Sequence, residues 1–246
     1  MKSIIPNPEE KGLFVQDKFA SVSKRYDLLN SLLSCYIDHY WRKKAAKELS
    51  NSQEGPFLDL CAGTLPLSIE LVKQHKRPVI AVDFCFDMLN YGVKERLHKK
   101  NGNSWPIFPI CGDGQELPLK EGVVEGITIA FGIRNLSDVA KGLAEMIRVL
   151  KPGGKLVILE FSRPSNPIFG PVYKFYLHKI LPHIGGLISK DKEAYRYLAQ
   201  SIEAFYSPKE LCAMMQDIGF SNVSSYPLTF GIVTIYTGIK PNKNDN

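Results

Sequence analysis

Apolar residues recur along the chain in two rhythms. Between Phe14 and Ser34 they fall at Phe14, Phe19, Val22, Tyr26, Leu29 and Leu33, close to the helical period, which predicts one or two helices there and a further helix over Trp41–Leu49. From Phe57 onward short apolar runs alternate with longer amphipathic stretches. The runs Phe57–Leu60, Val79–Asp83, Ile107–Ile110, Ile127–Ala130 and Leu156–Phe161 predict strands, with helices between most of them. Such alternation implies a parallel sheet covered on both faces. A helix over Asp138–Leu150 places Val139, Leu143, Met146, Ile147 and Leu150 on one face and stops at Lys151-Pro152-Gly153-Gly154. Residues 162–206 break the alternation and predict an inserted helical cap. A helix over Pro208–Ile218 follows, and then Asn222–Leu228 and Ile232–Ile239, separated by Thr229-Phe230-Gly231, predict a closing hairpin. The chain thus divides into a helical extension (1–50), an α/β domain (51–240) carrying the cap, and a polar tail (241–246).

The bulk properties narrow the classes. With 246 residues there is enough chain for one domain with a substantial core, and 44% hydrophobic with 23% charged residues is ordinary for a globular protein. The formal charge of +6 comes without a run of like charges, which argues against a nucleic-acid partner. The five cysteines show no C-x-x-C pair and no metal-ligand spacing, so they read as reduced thiols of a cytoplasmic protein. His178 and His183 lack a third suitably spaced ligand, and no metal is expected. No apolar stretch resembles a signal peptide or approaches the roughly 20 residues that span a bilayer, so any membrane contact would be peripheral.

The candidate chemistry begins at Leu58-Asp59-Leu60-Cys61-Ala62-Gly63-Thr64, an apolar strand running into a small-residue turn, with Asp83 ending the next strand. A turn that opens a helix offers unpaired N–H groups, and an acid at the second strand end suits a ribose hydroxyl pair. The G-x-G-x-x-G of dinucleotide sites is missing; one glycine is followed by Leu65-Pro66, which weighs against an oxidoreductase. Cys111-Gly112-Asp113-Gly114, after the third strand, adds a carboxylate placed for an adenine amino group. With Leu150-Lys151-Pro152-Gly153-Gly154 ahead of an apolar strand, this order resembles the class I S-adenosylmethionine-dependent methyltransferases, whose Rossmann-like seven-stranded sheet is mostly parallel with a C-terminal antiparallel hairpin. Phe131-Gly132-Ile133-Arg134-Asn135, Leu159-Glu160-Phe161-Ser162-Arg163-Pro164 and Tyr195-Arg196-Tyr197-Leu198-Ala199-Gln200-Ser201-Ile202 narrow the resemblance to the ubiquinone/menaquinone biosynthesis C-methyltransferases, from about Lys18-Phe19-Ala20 to Gly238.

That resemblance implies S-adenosyl-L-methionine as cofactor and methylation of a ring carbon of a polyprenylated quinol, demethylmenaquinol or a ubiquinone precursor. It places Asp59, Gly63, Thr64, Asp83, Asp113, Gly114 and Ala130 at the cofactor. The chain departs from the family's Gly-Thr-Gly-Asp in having Gly63-Thr64-Leu65-Pro66, which sets a leucine where open space beside the methionine end is expected and removes a carboxylate. Ala130 stands where a serine is common. Arg134, Asn135 and Asp113 are the expected catalytic residues: Arg134 and Asn135 hold the developing phenolate, and a water relayed among the three accepts its proton. Tyr176, Tyr195 and Tyr197 are candidate contacts to the quinol ring, although aromatic packing explains them equally well. Leu177, Ile180, Leu181, Ile184 and Leu187, beside Lys174, Lys179 and Lys190, suit either the core or peripheral contact with an anionic membrane. A homodimer is allowed. The rival reading is a non-catalytic or cofactor-altered quinone-binding homologue, resting on Leu65-Pro66.

Overall fold

A computed structural model describes residues 4–34, 36–49, 55–97, 105–183 and 192–242. Seven strands form one sheet: β1 (Phe57–Leu60), β2 (Val79–Asp83), β3 (Ile107–Cys111), β4 (Val124–Ala130), β5 (Leu150–Phe161), β6 (Ser221–Leu228) and β7 (Val233–Ile239). Their order is β3-β2-β1-β4-β5-β7-β6. The first five run parallel, and β7 is antiparallel to both β5 and β6. The sheet is thus mostly parallel with an antiparallel C-terminal hairpin.

All four residues of β1 are buried, as a central strand with helices on both sides requires. Its alternation sorts side chains between two cores. Leu58 and Leu60 join Leu143 and Met146 of α5 (Val139–Val149) and Leu211 and Met215 of α8 (Pro208–Asp217) on one face. Phe57 joins Trp41, Ala45 and Leu49 around α2 (Ile37–Glu48), and Leu71 of α3 (Pro66–His75), on the other. Local sequence sets the helix ends. The Asp138 side chain accepts the Lys141 amide at 2.9 Å at the start of α5, and Ser207 forms a capping box with Glu210 ahead of Pro208 at the start of α8.

The N-terminal periodicity resolves into a single helix, α1 (Pro8–Leu33), joined to α2 through Tyr36, whose φ is 63°. The predicted contacts at Val22, Tyr26, Leu29 and Leu33 concern side chains outside the described set. The predicted turn at Lys151–Gly154 is instead carried within β5: pairing with β4 steps from Val124↔Leu150 to Gly126↔Lys155. Gly154 permits this, because a Cβ there would lie 2.8 Å from the Lys151 carbonyl oxygen and 2.9 Å from that of Glu125. Helix α4 (Phe86–Gly92) lies between β2 and β3, and the cap's helices among the described residues are α6 (Phe169–Phe175), continued as a wider turn to Ile180, and α7 (Lys192–Ala204). Tyr173, Leu177, Leu181, Tyr195, Ala199 and Ile202 pack them together as a small separate core. The expectations at Ile184, Leu187 and Lys190 lie outside the described residues.

Candidate active site

Two depressions open at the carboxyl ends of the parallel strands, where ligands collect in sheets of this kind. A narrow cleft of about 100 Å³ is floored by Gly63, Asp83, Asp113, Gly114 and Ala130 and roofed by Gly12, Val15 and Gln16 of α1. A cavity of about 570 Å³ lies between α1, α2, the sheet and the cap, with Trp41, Phe131, Phe161, Tyr173 and Leu177 in its walls. Phe19 and Phe131 line both.

In the narrow cleft Asp83 ends β2, and its carboxylate accepts the amide N–H of Gly63 and that of Cys85, each at 2.8 Å. Burial raises its pKa to about 6 against the pull of those two hydrogen bonds. Each carboxylate oxygen keeps a second acceptor position, which suits a pair of ribose hydroxyls. Asp113 is held by the Gln115 amide at 2.9 Å. Gly114 leaves little to spare, since a Cβ there would approach Leu60 to 3.2 Å.

Two residues expected at the cofactor do not line the narrow cleft. Asp59 is 1% exposed and lines neither depression. It accepts Ser68 Oγ at 2.6 Å and Thr128 Oγ1 at 3.1 Å, tying β1 to α3 and β4, and burial raises its pKa to about 6. Thr64 is fully buried, with its backbone so close to Gly92 that a Cβ on that glycine would lie 2.7 Å from the Thr64 carbonyl carbon. Leu65 also corrects its expectation: it does not occupy space beside a cofactor. Its φ of 69° turns the side chain into the core, where it is fully buried with Leu67 and Leu71, and Pro66 takes the first position of α3, where no N–H is required.

The corner after β4 separates the residues expected to share a proton relay. Phe131 adopts φ 59°, and Gly132 follows because a Cβ there would clash with Cys61 Cβ. The tight turn that results sends neighbouring side chains opposite ways. Arg134 lines the apolar cavity, whereas Asn135 lines the narrow cleft with Asp113. No direct hydrogen bond joins Asp113 to either. Arg134 is 6% exposed; its Nη1 donates to Glu160 Oε1 at 2.9 Å and to the Phe131 carbonyl, and its Nε donates to Ser201 Oγ of α7 at 3.4 Å. Among the described residues Nη2 meets no acceptor, and the side chain lines the apolar cavity. Burial raises the pKa of Glu160 while the Arg134 charge opposes the shift. Asn135 Oδ1 accepts the hydroxyl of Tyr197 at 3.1 Å.

All three predicted tyrosines, Tyr176, Tyr195 and Tyr197, line the apolar cavity. Sequence reasoning missed Trp41, Asp38 and Arg42, which reach it from α2, and Tyr173 and Phe169 from α6. The periodic run around Trp41 carried an Asp38-Arg42 spacing of one helical turn, a signal for a polar pair on one face. In the cap His178 Nε2 pairs with Glu203 at 3.0 Å.

Residues 7–240 match the ubiE/COQ5 methyltransferase family. The chain belongs to that family. A ubiquinone/menaquinone biosynthesis C-methyltransferase of Geobacter sp. is 42% identical over 234 residues, covering 94% of this chain and 98% of the relative. A demethylmenaquinone methyltransferase of Mycolicibacterium gilvum is 39% identical over 239 residues, covering 97% and 98%. Among solved structures, a SAM-dependent methyltransferase of Thermotoga maritima superimposes with a TM-score of 0.63 at 19% identity, covering 91% of this chain and 98% of that one, a likeness of fold. The protein is therefore a methyltransferase that uses S-adenosylmethionine. The residues of the narrow cleft fit that cofactor: Asp83 for ribose hydroxyls, Asp113 for the adenine and the small Gly63, Gly114 and Ala130 for close approach. The space between them, roofed by α1, is smaller than the roughly 300–1,000 Å³ of typical ligand pockets.

Proposed function

We propose that the protein methylates a ring carbon of a polyprenylated quinol, demethylmenaquinol or a ubiquinone precursor. The observation that carries this reading is the apolar cavity of about 570 Å³ beside the cofactor cleft, whose wall includes the buried guanidinium of Arg134. An apolar wall accommodates an aromatic head group and the start of a prenyl tail, and a buried cation in that wall marks where an oxygen belongs.

When bound, S-adenosylmethionine supplies an electrophilic methyl group. The chain's residues make the acceptor reactive and hold it still. Arg134 donates to the quinol oxygen and stabilises charge that develops there, an effect strengthened by the surrounding Phe161, Tyr173 and Leu177. Glu160 and Ser201 fix the guanidinium from behind. Asn135, anchored by Tyr197, stands on the cofactor side of the same turn, with Asp113 on that side too, so we assign these two to aligning the partners across Phe131. Tyr176, Tyr195 and Tyr197 contact the ring. Incubating the protein with S-adenosylmethionine and a short-chain demethylmenaquinol kept reduced should yield S-adenosylhomocysteine and the ring-methylated quinol in equal amounts; no methylated product would defeat the reading.

The non-catalytic alternative loses its support at Leu65, whose side chain lies in the core. Titration calorimetry with S-adenosylmethionine decides between the two, since the alternative requires weak or absent binding. As to location, no helix among the described residues is long and apolar enough to cross a membrane. Ile168, Val172, Phe175 and Phe230 are nonetheless exposed by 59–81% beside the cavity's entrance, and Val172 also lines the cavity, whereas Leu177 and Leu181 turn inward. We place peripheral membrane contact on this exposed stripe. Liposome flotation of the protein and of Phe175→Ser/Phe230→Ser measures it, and sedimentation measures whether the chain forms the homodimer that the sequence allows.

A further inference from the structure

Among the described residues lining the apolar cavity one carries a carboxylate, and the family motifs give it no part: Asp38, in the first turn of α2. It is 6% exposed. Its Oδ1 accepts Ser34 Oγ at 3.1 Å. Its Oδ2 lies 3.8 Å from Arg42 Nε, an ion pair beyond hydrogen-bond length, and the Arg42 guanidinium spreads over the Phe131 ring at 5.1 Å. A carboxylate has about four acceptor positions, so most of its capacity is unspent. Burying such a group against Trp41, Phe131 and Phe161 is costly unless something donates to it.

The groups that face it come from every wall. Arg42 shares its helix. Lys18 of α1 lines the same cavity and pairs with Glu193. Arg134, backed by Glu160, enters from the sheet, and the hydroxyls of Tyr173, Tyr176, Tyr195 and Tyr197 belong to the cap. The cavity thus offers a donor in Arg134 Nη2 and an acceptor in Asp38, on different walls. A ring with two hydroxyl groups presents the matching pair.

We propose that Asp38 is a catalytic residue that accepts the proton of a substrate hydroxyl, an inference that rests on the quinol reading above. The O–H bond breaks, its electron pair stays on oxygen and enters the ring, and Asp38 becomes neutral. After the ring carbon has taken up the methyl group, the proton on that carbon leaves to water, and Asp38 returns its proton to the oxygen. One proton is released per turnover and the carboxylate is regenerated.

Asp38→Asn keeps the shape and the Ser34 hydrogen bond. With a reduced short-chain quinol its kcat should fall by about 10²–10⁴-fold, as for loss of a general base, while cofactor Kd by calorimetry and the thermal midpoint stay near wild type. The decisive reading is pH. With no internal acceptor the variant's kcat should climb about tenfold per unit toward the hydroxyl's own pKa, near 10 for a phenol, while the wild type is flat over that range, and Asp38→Glu should recover part of the rate. Full activity in Asp38→Asn, or a loss that rising pH does not relieve, overturns the proposal and leaves the quinol reading standing if the wild type methylates. A wild type that does not methylate the quinol overturns both.

Discussion

The narrow cleft and the apolar cavity lie side by side at the same strand ends and are built in different ways. The cleft's floor is made by short contiguous segments at the ends of β1, β2, β3 and β4, and its polar groups are held by backbone amides, as Asp83 is by Gly63 and Cys85. The cavity is assembled from α1, α2, the sheet and the cap, and its polar groups are held by side chains far away in sequence, as Arg134 is by Glu160 and Ser201. A site of the first kind tolerates change because backbone remains when a side chain is altered. One of the second kind fails as a unit.

The sharpest break between the two should come from Arg134→Ala. Steady-state kinetics should show kcat reduced about 10³-fold with S-adenosylmethionine binding retained. Denaturant titration should show a loss of about 3–5 kcal/mol, because Glu160 is left charged and buried without its partner. The double change Arg134→Met/Glu160→Gln should recover much of that stability and none of the activity. Next in size, Leu65→Ala should cost about 2–5 kcal/mol of stability as a cavity in the core. Its cofactor Kd should stay near wild type, since Leu65 lines neither depression; a large rise in Kd would put the side chain back at the cleft.

Smaller effects separate Asp59 from Asp83. Asp59 has its pKa raised to about 6, so the folded state holds that proton more tightly than the unfolded chain does. Stability from this group is therefore greatest below about pH 4 and is lost as pH rises through 6, by roughly 1–3 kcal/mol, and comparing urea midpoints of wild type and Asp59→Asn between pH 4.5 and 7 isolates it. Asp83, also near 6, acts on binding as well: protonation removes its acceptors for the cofactor, so affinity should drop as pH falls below 6. Asp83→Asn should weaken the cofactor about tenfold at pH 7.5 and flatten that pH response, with quinol KM unchanged.

The same contrast explains what could be read from the sequence. The strand runs are contiguous and bounded by turn residues, so the sheet was legible nearly strand for strand, and the family motifs pointed to Asp83, Asp113, Gly114 and Ala130 in the cleft. Two particulars came only with the structure, each through the local backbone. A left-handed φ at Leu65 points inward a side chain that the family resemblance placed beside the cofactor, and the turn after Phe131 sets Arg134 and Asn135 on different cavities. Asp38 and Trp41 were invisible as site residues, because they reach the cavity only once α2 has packed beside β5, more than 100 positions away in the chain.

Helix α1 and the segment before it are pinned at several points: the Ile4 amide donates to Gln200 Oε1 at 2.8 Å, and Lys11 Nζ donates to the carbonyls of Arg134 and Leu136 at 2.9 and 2.8 Å. Lys11 and Lys18 of this helix are trypsin sites. If the cofactor enters by lifting this helix, cutting after Lys11 and Lys18 becomes a clock for the opening: brief digestion should be slow for the free protein, slower still once ligands fill the space beneath, and quick while the cover is raised. Susceptibility to a protease would then measure, without any substrate turnover, how often the enzyme is ready to receive its methyl donor.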